Sequence, residues 1–303
     1  ISTANTTGGS ALTILAKGGN GAVTVGGITV NGSLKSITGK NTTVVGDLEA
    51  LGSLGKVLLA SISNGAISVG GANLSLQLTG ANNVSLTSAG TIKSIQAGSW
   101  NSTGVISAPS IANIKITHDA TMTISAGAVR TMTVGGTLGN STLTLTAPGV
   151  KDLTSFKAGA LSNTQINATG NLGSLSANSM VNSQIYAGIV SLPIGQELPT
   201  AAGAFSAQDI ITSVKIGKGK GAATYVNSAI AAAQIRSATL GKVQFANGGA
   251  PFGIAAHNIA SLTATDASTG KTFTLKKLST EAAVMAQLAA KGITPQDFTI
   301  KIV

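Results

Sequence analysis

A short sequence unit recurs along the chain at a nearly constant interval. The unit has two apolar residues three positions apart, usually with a small residue in third place, as in Leu172-Gly173-Ser174-Leu175. Thirteen such units, a few of them degenerate, begin at positions 12, 34, 51, 74, 92, 111, 129, 150, 172, 189, 211, 235 and 259, which is a period of about 20 residues. A period of this length is typical of a solenoid, in which each repeat forms one turn and packs against its neighbours.

A second signature follows the first in many repeats. It is an Asn or Asp with an apolar residue three places later, and it occurs at Asn41/Val44, Asn64/Ile67, Asp119/Met122, Asn140/Leu143, Asn163/Ile166, Asn182/Ile185 and Asn227/Ile230. The interval between the two signatures ranges from 7 to 16 residues, whereas the spacing within each signature is fixed. Because insertions are tolerated at corners and not in stacked strands, we predict constant strands joined by variable loops.

The residue types around each signature favour strands over helices. Apolar and small polar residues alternate, as in Ile185-Tyr186-Ala187, and Gly, Asn, Ser and Thr are abundant where a helix would favour Ala, Leu, Glu and Lys. We therefore predict an all-β fold, a right-handed parallel β-helix of about 13 coils of about 20 residues. A leucine-rich repeat has a similar period, but its fuller run of leucines is missing.

The β-helix assigns a role to each class of residue. Inward Ile, Leu and Val form aliphatic columns, and Asn and Gly form corners with left-handed backbone, where stacked Asn side chains form ladders. In residues 171–188 we predict that Leu172, Leu175 and Ile185 point into the core and that Gly173 occupies a tight position. Ser176 is predicted to point outward, and residues 182–183 to form the corner before the next strand.

The repeat breaks near the C-terminus. We predict a repeat domain over residues 1–275 and a capping helix and strand over residues 276–303. The helix lies within 279–292, with Ser279 or Thr280 as N-cap and an apolar stripe of Val284, Met285 and Leu288. The alternating residues 297–303 predict the last strand, and Phe273 and Phe298 are expected to seal the core.

The N-terminal residues show no comparable helix. They indicate strand and turn, which leads to the hypothesis of head-to-tail association through an open first coil. The alternative is that Ile1 marks a processing or truncation boundary with further coils or a domain upstream. No signal peptide is recognised in these residues, so the extracellular or cell-surface location that we expect rests on other features.

Composition limits the possible functions. Only 9% of the residues are charged, there is no Cys, and no apolar run approaches the roughly 20 residues of a membrane-spanning helix. Stability must therefore come from packing and hydrogen bonding without disulfides. The net charge is +10, but the lysines are scattered, with Lys276-Lys277 and residues 217–221 as the only clusters. We expect solvated surface charges, with polyanionic surroundings as the alternative and no nucleic-acid partner.

Residues with catalytic or metal-binding chemistry are sparse. The chain has nine acids, and only Asp47 and Glu49 form a local pair, which a glycosidase could use but a surface turn explains equally well. The next candidate for a catalytic base or a metal ligand is the pair His118-Asp119. A corner of the coil, with Asp119 in the turn, is the interpretation that we favour for this pair. His257 is about seven coils away from it. We therefore predict no catalytic, cofactor-binding or metal-binding residues and no cofactor.

The unit at 172–187, LGSL followed by NSxI and Ala, resembles the Gly/Ser/Asn-rich repeats of large secreted or surface β-helix proteins of bacteria. The resemblance is to the planctomycete type and, more distantly, to haemagglutinin-like adhesins and autotransporter passengers. It implies a β-helix and places no catalytic residue in this chain. We expect a non-enzymatic structural or surface protein, a rigid spacer or a self-assembling fibre or matrix subunit. The alternative is an adhesin or a carbohydrate-binding or carbohydrate-cleaving β-helix.

Overall fold

The computed structural model describes residues 1–19, 21–71, 73–147, 151–192, 195–206, 208–217 and 223–303. The chain is 65% strand and 4% helix and forms a parallel β-solenoid of about 12 turns. This confirms the predicted fold class, and the hand of the coil stays a prediction. Two compact units, residues 1–136 and 137–303, are described separately below.

The strands that begin in the first unit are β1 (Ser2–Thr6), β2 (Ala11–Thr13), β3 (Val23–Val25), β4 (Ile28–Gly32), β5 (Leu34–Val45), β6 (Leu48–Ala50), β7 (Leu54–Val69), β8 (Leu74–Ser88), β9 (Ile92–Ile116) and β10 (Ala120–Gly139). The long strands bend through several sides of a coil. Equivalent residues of successive coils pair in parallel register, for example Leu12, Ile37, Val57, Leu76 and Ile95. From Ile37 to Ile95 these side chains are buried and form one inward column. The column does not follow the first signature in every coil, because Val57 lies outside the unit at 51 and Leu51 of that unit is 64% exposed.

The strands of the second unit are β11 (Thr142–Leu145), β12 (Lys151–Ser162), β13 (Gln165–Ala168), β14 (Asn171–Ala177), β15 (Met180–Val181), β16 (Gln184–Ala187), β17 (Ile210–Ile216), β18 (Tyr225–Val226), β19 (Ala229–Ala232), β20 (Gln234–Ile235), β21 (Ala238–Val243), β22 (Phe252–Ala256), β23 (Asn258–Asp266), β24 (Thr272–Leu278) and β25 (Phe298–Ile302). A short 3-10 helix spans Ala202–Ala204, and one α-helix, α1, spans Glu281–Ala290.

The register of the second unit places its core columns. One column runs through Phe156, Leu175, Val214, Ala238 and Leu262. Leu175 is 2% exposed and Leu172 is fully buried, as predicted, whereas Ser176 is half-buried on the outer side. A Cβ on Gly173 would lie 2.1 Å from the carbonyl oxygen of Thr154, so the close approach of two coils requires glycine there.

The corners use asparagine with left-handed backbone. Positive φ angles occur at Asn64, Asn83, Asn140, Asn163, Asn182 and Asn227, five of which belong to the second signature. Within each unit, side-chain amides of successive corners bond to one another, as in Asn83 to Asn64 (3.1 Å), Asn163 to Asn140 (3.2 Å) and Asn227 to Asn182 (2.9 Å). The predicted asparagine ladders are therefore present.

One apparent repeat does not form a coil. The unit that begins at Ile189 should lie between those at Leu172 and Ile211, yet β14 pairs directly with β17 and aligns Leu172 with Ile211. The described residues of the segment 189–206 instead lie outside the named strands, and Ile189 and Phe205 form an isolated bridge. This segment is termed the insertion. This removes one coil from the thirteen counted in the sequence. The unit at 150 begins with a residue outside the described part of the chain.

The predicted C-terminal helix and last strand are present. The Ala283 N–H donates to the Thr280 hydroxyl, which makes Thr280 the N-cap of α1. Val284 and Leu288 are buried, but Met285 is 64% exposed, so the predicted apolar stripe is narrower than three residues. Met285 follows Val284 directly, and one residue of α-helix rotates the side chain by about 100°, away from the buried side.

Antiparallel pairing covers the last coil. β24 folds back antiparallel onto β23. Phe273 and Phe298 are buried there, and Phe245 stacks on Phe298 with ring centroids 5.5 Å apart. Within the described residues, no helix is long and apolar enough to cross a membrane. The division at residue 275 stays a prediction.

Candidate functional site

Asp47 and Glu49, the local acid pair of the sequence, lie at the surface of the first unit. Asp47 precedes β6, and its Oδ1 accepts a hydrogen bond of 2.8 Å from the Ala66 N–H of the next coil. Glu49 is exposed on β6 and pairs in register with Thr29 and Ser68. Asp47 is thus engaged in coil stacking, which is the turn role that the sequence left open.

The two histidines have backbone partners. His118 is exposed in the turn before β10, with Nδ1 3.1 Å from the Gly98 carbonyl oxygen. His257, in the second unit, is half-buried, with Nε2 3.3 Å from the Ala202 carbonyl oxygen and its ring edge-on to Phe205 at 4.9 Å. Among the described residues there is no group of three His, Asp or Glu side chains that could hold a metal ion.

Several carboxylates of the second unit bind backbone N–H groups. Asp152 Oδ2 accepts from Gly170 at 2.8 Å, and Asp297 Oδ2 accepts from Asn247 at 2.6 Å and Gly249 at 3.0 Å. Asp266 accepts from the N–H of Ser268 at 2.9 Å. These acids therefore satisfy donors at corners that the strand ladders leave unpaired.

Asp152 is the most deeply placed of these acids. It follows Lys151 at a break in the register of β12 with β14, and its Oδ1 is buried without a hydrogen-bond partner. Burial raises the pKa of this carboxyl above its usual value, and the negative charge of Asp209 raises it further. Asp209 itself contacts the hydroxyl of Ser206. The acidic proton is therefore held more firmly by Asp152 than by an exposed aspartate.

A sheet of the second unit is buried on its inner face and, at Tyr186, Ala231 and Ala255, also on its outer face. Its inward column is Ile185, Ile230, Ile254 and Ile300, and its outward column is Tyr186, Ala231, Ala255 and Lys301. The two outward alanines are small enough for the insertion at residues 189–206 to lie over them. Leu198 and Phe205 of the insertion pack there with Tyr186 as a second apolar cluster. The unit at 189 is thus apolar because it packs outside the coil.

A cleft of about 620 Å³ lies between the insertion and this sheet, lined by Gly195, Gln196, Glu197, Leu198, Thr200, Asn227, Ala250, Pro251, Thr299 and Lys301. Glu197 is its acidic residue. Glu197 Oε1 accepts from Gln184 Nε2 at 3.2 Å, and Glu197 Oε2 is buried with no partner. The Tyr186 hydroxyl donates to the Glu197 carbonyl oxygen at 2.6 Å and holds the insertion in place.

Burial is the main influence on the acidic groups of the cleft. Burial raises the pKa of Glu197, and the hydrogen bond from Gln184 offsets this only in part. Burial and the charge of Glu197 also raise the pKa of Tyr186. Lys301 has no ion-pair partner among the described residues, so the cleft offers a cation, a carboxyl group and the hydroxyl of Thr299. The Asn227 amide also lines the cleft, but it is bonded to Asn182 and Asn247. This set suits a hydroxyl-rich or carboxylate-bearing ligand.

Cleavage of a glycoside would require a second carboxyl group at a suitable distance, and the described lining supplies only Glu197. Sequence reasoning missed this cleft because its residues come from four separate segments and form no local motif. Two signals could have indicated it: the long interval between the units at 172 and 211 once the unit at 189 is set aside, and the run of alanines at 231–233.

The fold and these surfaces define a class, the parallel β-solenoid with corner ladders. Comparison with known protein families, with curated proteins and with solved structures finds no match.

Proposed function

We propose that the chain is a non-enzymatic structural protein of the cell surface or extracellular space. In this proposal the β-solenoid is a rigid spacer or the subunit of a self-assembling fibre or matrix. The observation that supports it is that polar side chains at the corners form hydrogen bonds with the neighbouring coil. Asparagine amides bond from corner to corner, and carboxylates such as Asp47 and Asp152 accept N–H groups of the next coil. Polar groups used in this way stiffen the stack and are not available for chemistry.

Localisation tests the proposal directly. Antibodies against the purified chain, detected by immunogold electron microscopy on sections of the source cells, should label the outer surface or released matrix. Label confined to the cell interior would contradict the proposal. Sedimentation velocity over a hundredfold concentration range then separates the two forms: a spacer sediments as one species throughout, whereas a self-assembling subunit shifts to larger species.

The cleft supports a second candidate, an adhesin or carbohydrate-binding β-helix. Its partner would be a polysaccharide or other cell-surface material whose hydroxyl or carboxylate groups fit Glu197, Thr299 and Lys301. A glycan array with the wild-type chain and with Glu197→Gln and Lys301→Gln tests this candidate. Lys291→Gln is the control, because Lys291 is exposed beyond α1.

Binding that is weakened by both cleft variants and unchanged in the control would support this second candidate. Binding that is indifferent to both cleft variants would rule out the cleft as the site. Release of reducing ends from a bound glycan, lost in Glu197→Gln, would indicate cleavage rather than binding.

A further inference from the structure

The cations of the first unit are concentrated on one sheet. This sheet, termed the basic sheet, consists of strand segments from six coils, residues 34–39, 54–59, 74–78, 92–97, 111–116 and 129–134. Its exposed cations are Lys35, Lys56, Lys93, Lys115 and Arg130. The three acids of the first unit lie elsewhere, with Asp47 and Asp119 in turns and Glu49 on β6. Cations and acids are therefore segregated.

The five side chains are free to bind a partner. None of them has a hydrogen bond or an ion pair with a described residue. Three of them, Lys35, Lys93 and Arg130, occupy the second position of the first signature, and all three are exposed. A cation at this position is therefore presented on the same side of the stack each time it recurs.

The register spaces the cations along the stack. Lys56 pairs with Ser75, which pairs with Ser94, and Lys93 adjoins Ser94. Since adjacent coils are about 4.8 Å apart, the backbone positions of Lys56 and Lys93 differ by about 10 Å along the stack. Hydroxyl and amide groups lie between the cations, including the register partners Gln77 and Gln96.

This surface has the chemistry of a polyanion site. Like charges on one sheet repel one another, and a negatively charged partner removes that repulsion. The basic sheet contains no aromatic residue, so it lacks the stacking platforms that bind single-stranded nucleic acid. A flat sheet face also does not insert into the major groove as a helix or a two-stranded ribbon does.

We propose that the basic sheet binds an acidic polysaccharide lying along the stack. Its carboxylate or sulfate groups contact Lys56, Lys93 and Lys115 and their neighbouring cations, and the intervening Ser and Gln side chains bond to sugar hydroxyls. The proposal is independent of the proposed structural function, because it concerns binding by the purified chain and not where the protein is located.

A charge-matched pair of variants tests the proposal. The first carries Lys56→Gln, Lys93→Gln and Lys115→Gln on the basic sheet. The control carries Lys17→Gln, Lys271→Gln and Lys291→Gln, which are exposed and lie off this sheet. Both lose three positive charges, so a difference between them reports position and not net charge. Binding is measured by biolayer interferometry to alginate (carboxylate), dextran sulfate (sulfate), neutral dextran and duplex DNA at low and physiological salt.

The wild-type chain should bind alginate or dextran sulfate, and which of the two it prefers identifies the anionic group. The basic-sheet variant should bind about tenfold more weakly, and the control should change less than about twofold. The single variants Lys56→Gln and Lys93→Gln, each expected to weaken binding about twofold, provide the test if the triple variant unfolds. Equal losses in both triple variants, equal binding of neutral dextran, or tighter binding of duplex DNA than of either acidic polysaccharide would overturn the proposal.

Discussion

At the scale of the residue, the Asn-Ser and Asn-Thr dipeptides carry much of the structure. The asparagine adopts a left-handed backbone conformation, and its side-chain amide forms a hydrogen bond with the asparagine of the next corner. The hydroxyl group of the Ser or Thr that follows it is buried. The Thr164 N–H donates to Ser183 Oγ, and the Ser183 N–H donates to Ser228 Oγ, both at 3.1 Å. A second ladder of hydroxyl groups thus runs inside the asparagine ladder.

The sequence predicts only the first of these ladders. A constant interval from Asn to an apolar residue identifies a corner, and asparagine is the residue besides glycine that most readily adopts left-handed backbone. The role of the following Ser or Thr depends on which N–H of the next coil is left unpaired, and that is decided by the register. The same composition also produces chance glycosylation motifs, which hide the pattern.

Asn182 tests the corner. Asn182→Ala should lower the free energy of unfolding by about 1–2 kcal/mol, because alanine is strained at the φ of 47° found there. The bond from Asn227 Nδ2 is lost as well. Asn182→Gly, which keeps the backbone conformation, should cost less. Urea unfolding followed by circular dichroism measures both, with Asn178→Ala, at an exposed position, as control. A cost no larger than that of the control would contradict the corner assignment.

At the scale of the element, the alternation of the sequence predicts which side of a strand is buried. Leu175 and Ser176 are adjacent, and the register places Leu175 between Phe156 and Val214, and Ser176 between Lys157 and Lys215. Such alternation is reliable because a strand places successive side chains on opposite faces. It does not reveal what packs on the outer face, which is why the sequence pattern predicts a coil at 189 where the structure has none.

The insertion at 189–206 shows what the signature leaves undetermined. Two apolar residues three positions apart can anchor a strand in the core or a loop on an outer face. Which of the two forms depends on the residues that they contact, and these are distant in sequence. Here they belong to the outward column that contains Ala231 and Ala255. Neither the insertion nor the Glu197 cleft was predictable from a local pattern.

The adjacent pair at 175 and 176 tests the register. Leu175→Asp should cost more than about 3 kcal/mol, because it buries a carboxylate without a partner. Ser176→Asp should change the stability by less than about 0.5 kcal/mol, since its neighbours are exposed lysines and its position is on the surface side. Urea unfolding of both variants gives the comparison. Equal costs would refute the assigned register.

Glu197 gives the insertion a dependence on pH. Burial raises its pKa in the folded chain above the value of about 4.3 of an unfolded glutamate. The folded state therefore binds the proton more tightly, and this contribution to stability is present at acid pH and lost as the pH rises through the raised pKa. Glu197→Gln, which stays neutral, should gain stability relative to wild type between pH 4 and pH 7.

Unfolding free energies at several pH values measure this trend. The buried Asp152 is present in both proteins, so its contribution cancels when the free energy of unfolding of wild type is subtracted from that of Glu197→Gln. Glu49→Gln, which removes an exposed acid of the first unit, controls for the loss of one negative charge. The same pH trend in both variants would show that burial of Glu197 is not the cause.

At the scale of the whole molecule, repetition explains the composition. Ionised side chains at equivalent positions would lie about 4.8 Å apart in successive coils, so neutral polar residues dominate the outer positions. The acids that remain are used mainly at corners, and five of the seven lysine and arginine residues of the first unit lie on the basic sheet. The proposed structural function and the proposed polysaccharide site both follow from this division between stacking and surface charge.

Because the chain has no cysteine, the register of the stacked coils can be tested with introduced cysteine pairs. Ser155, Ser174 and Ser213 are outward register partners in three successive coils. Neighbouring coils place Cα atoms about 4.8 Å apart, within the range that a disulfide spans, whereas positions two coils apart are about 10 Å apart.

The measurement is disulfide formation in three double variants under one mild oxidant, followed by mass spectrometry of the linked peptides. The pairs Ser155→Cys with Ser174→Cys and Ser174→Cys with Ser213→Cys should crosslink within the chain, the second across 39 residues of sequence. The pair Ser155→Cys with Ser213→Cys should remain reduced. Crosslinking of this last pair, or failure of Ser174→Cys with Ser213→Cys, would contradict the stacked solenoid.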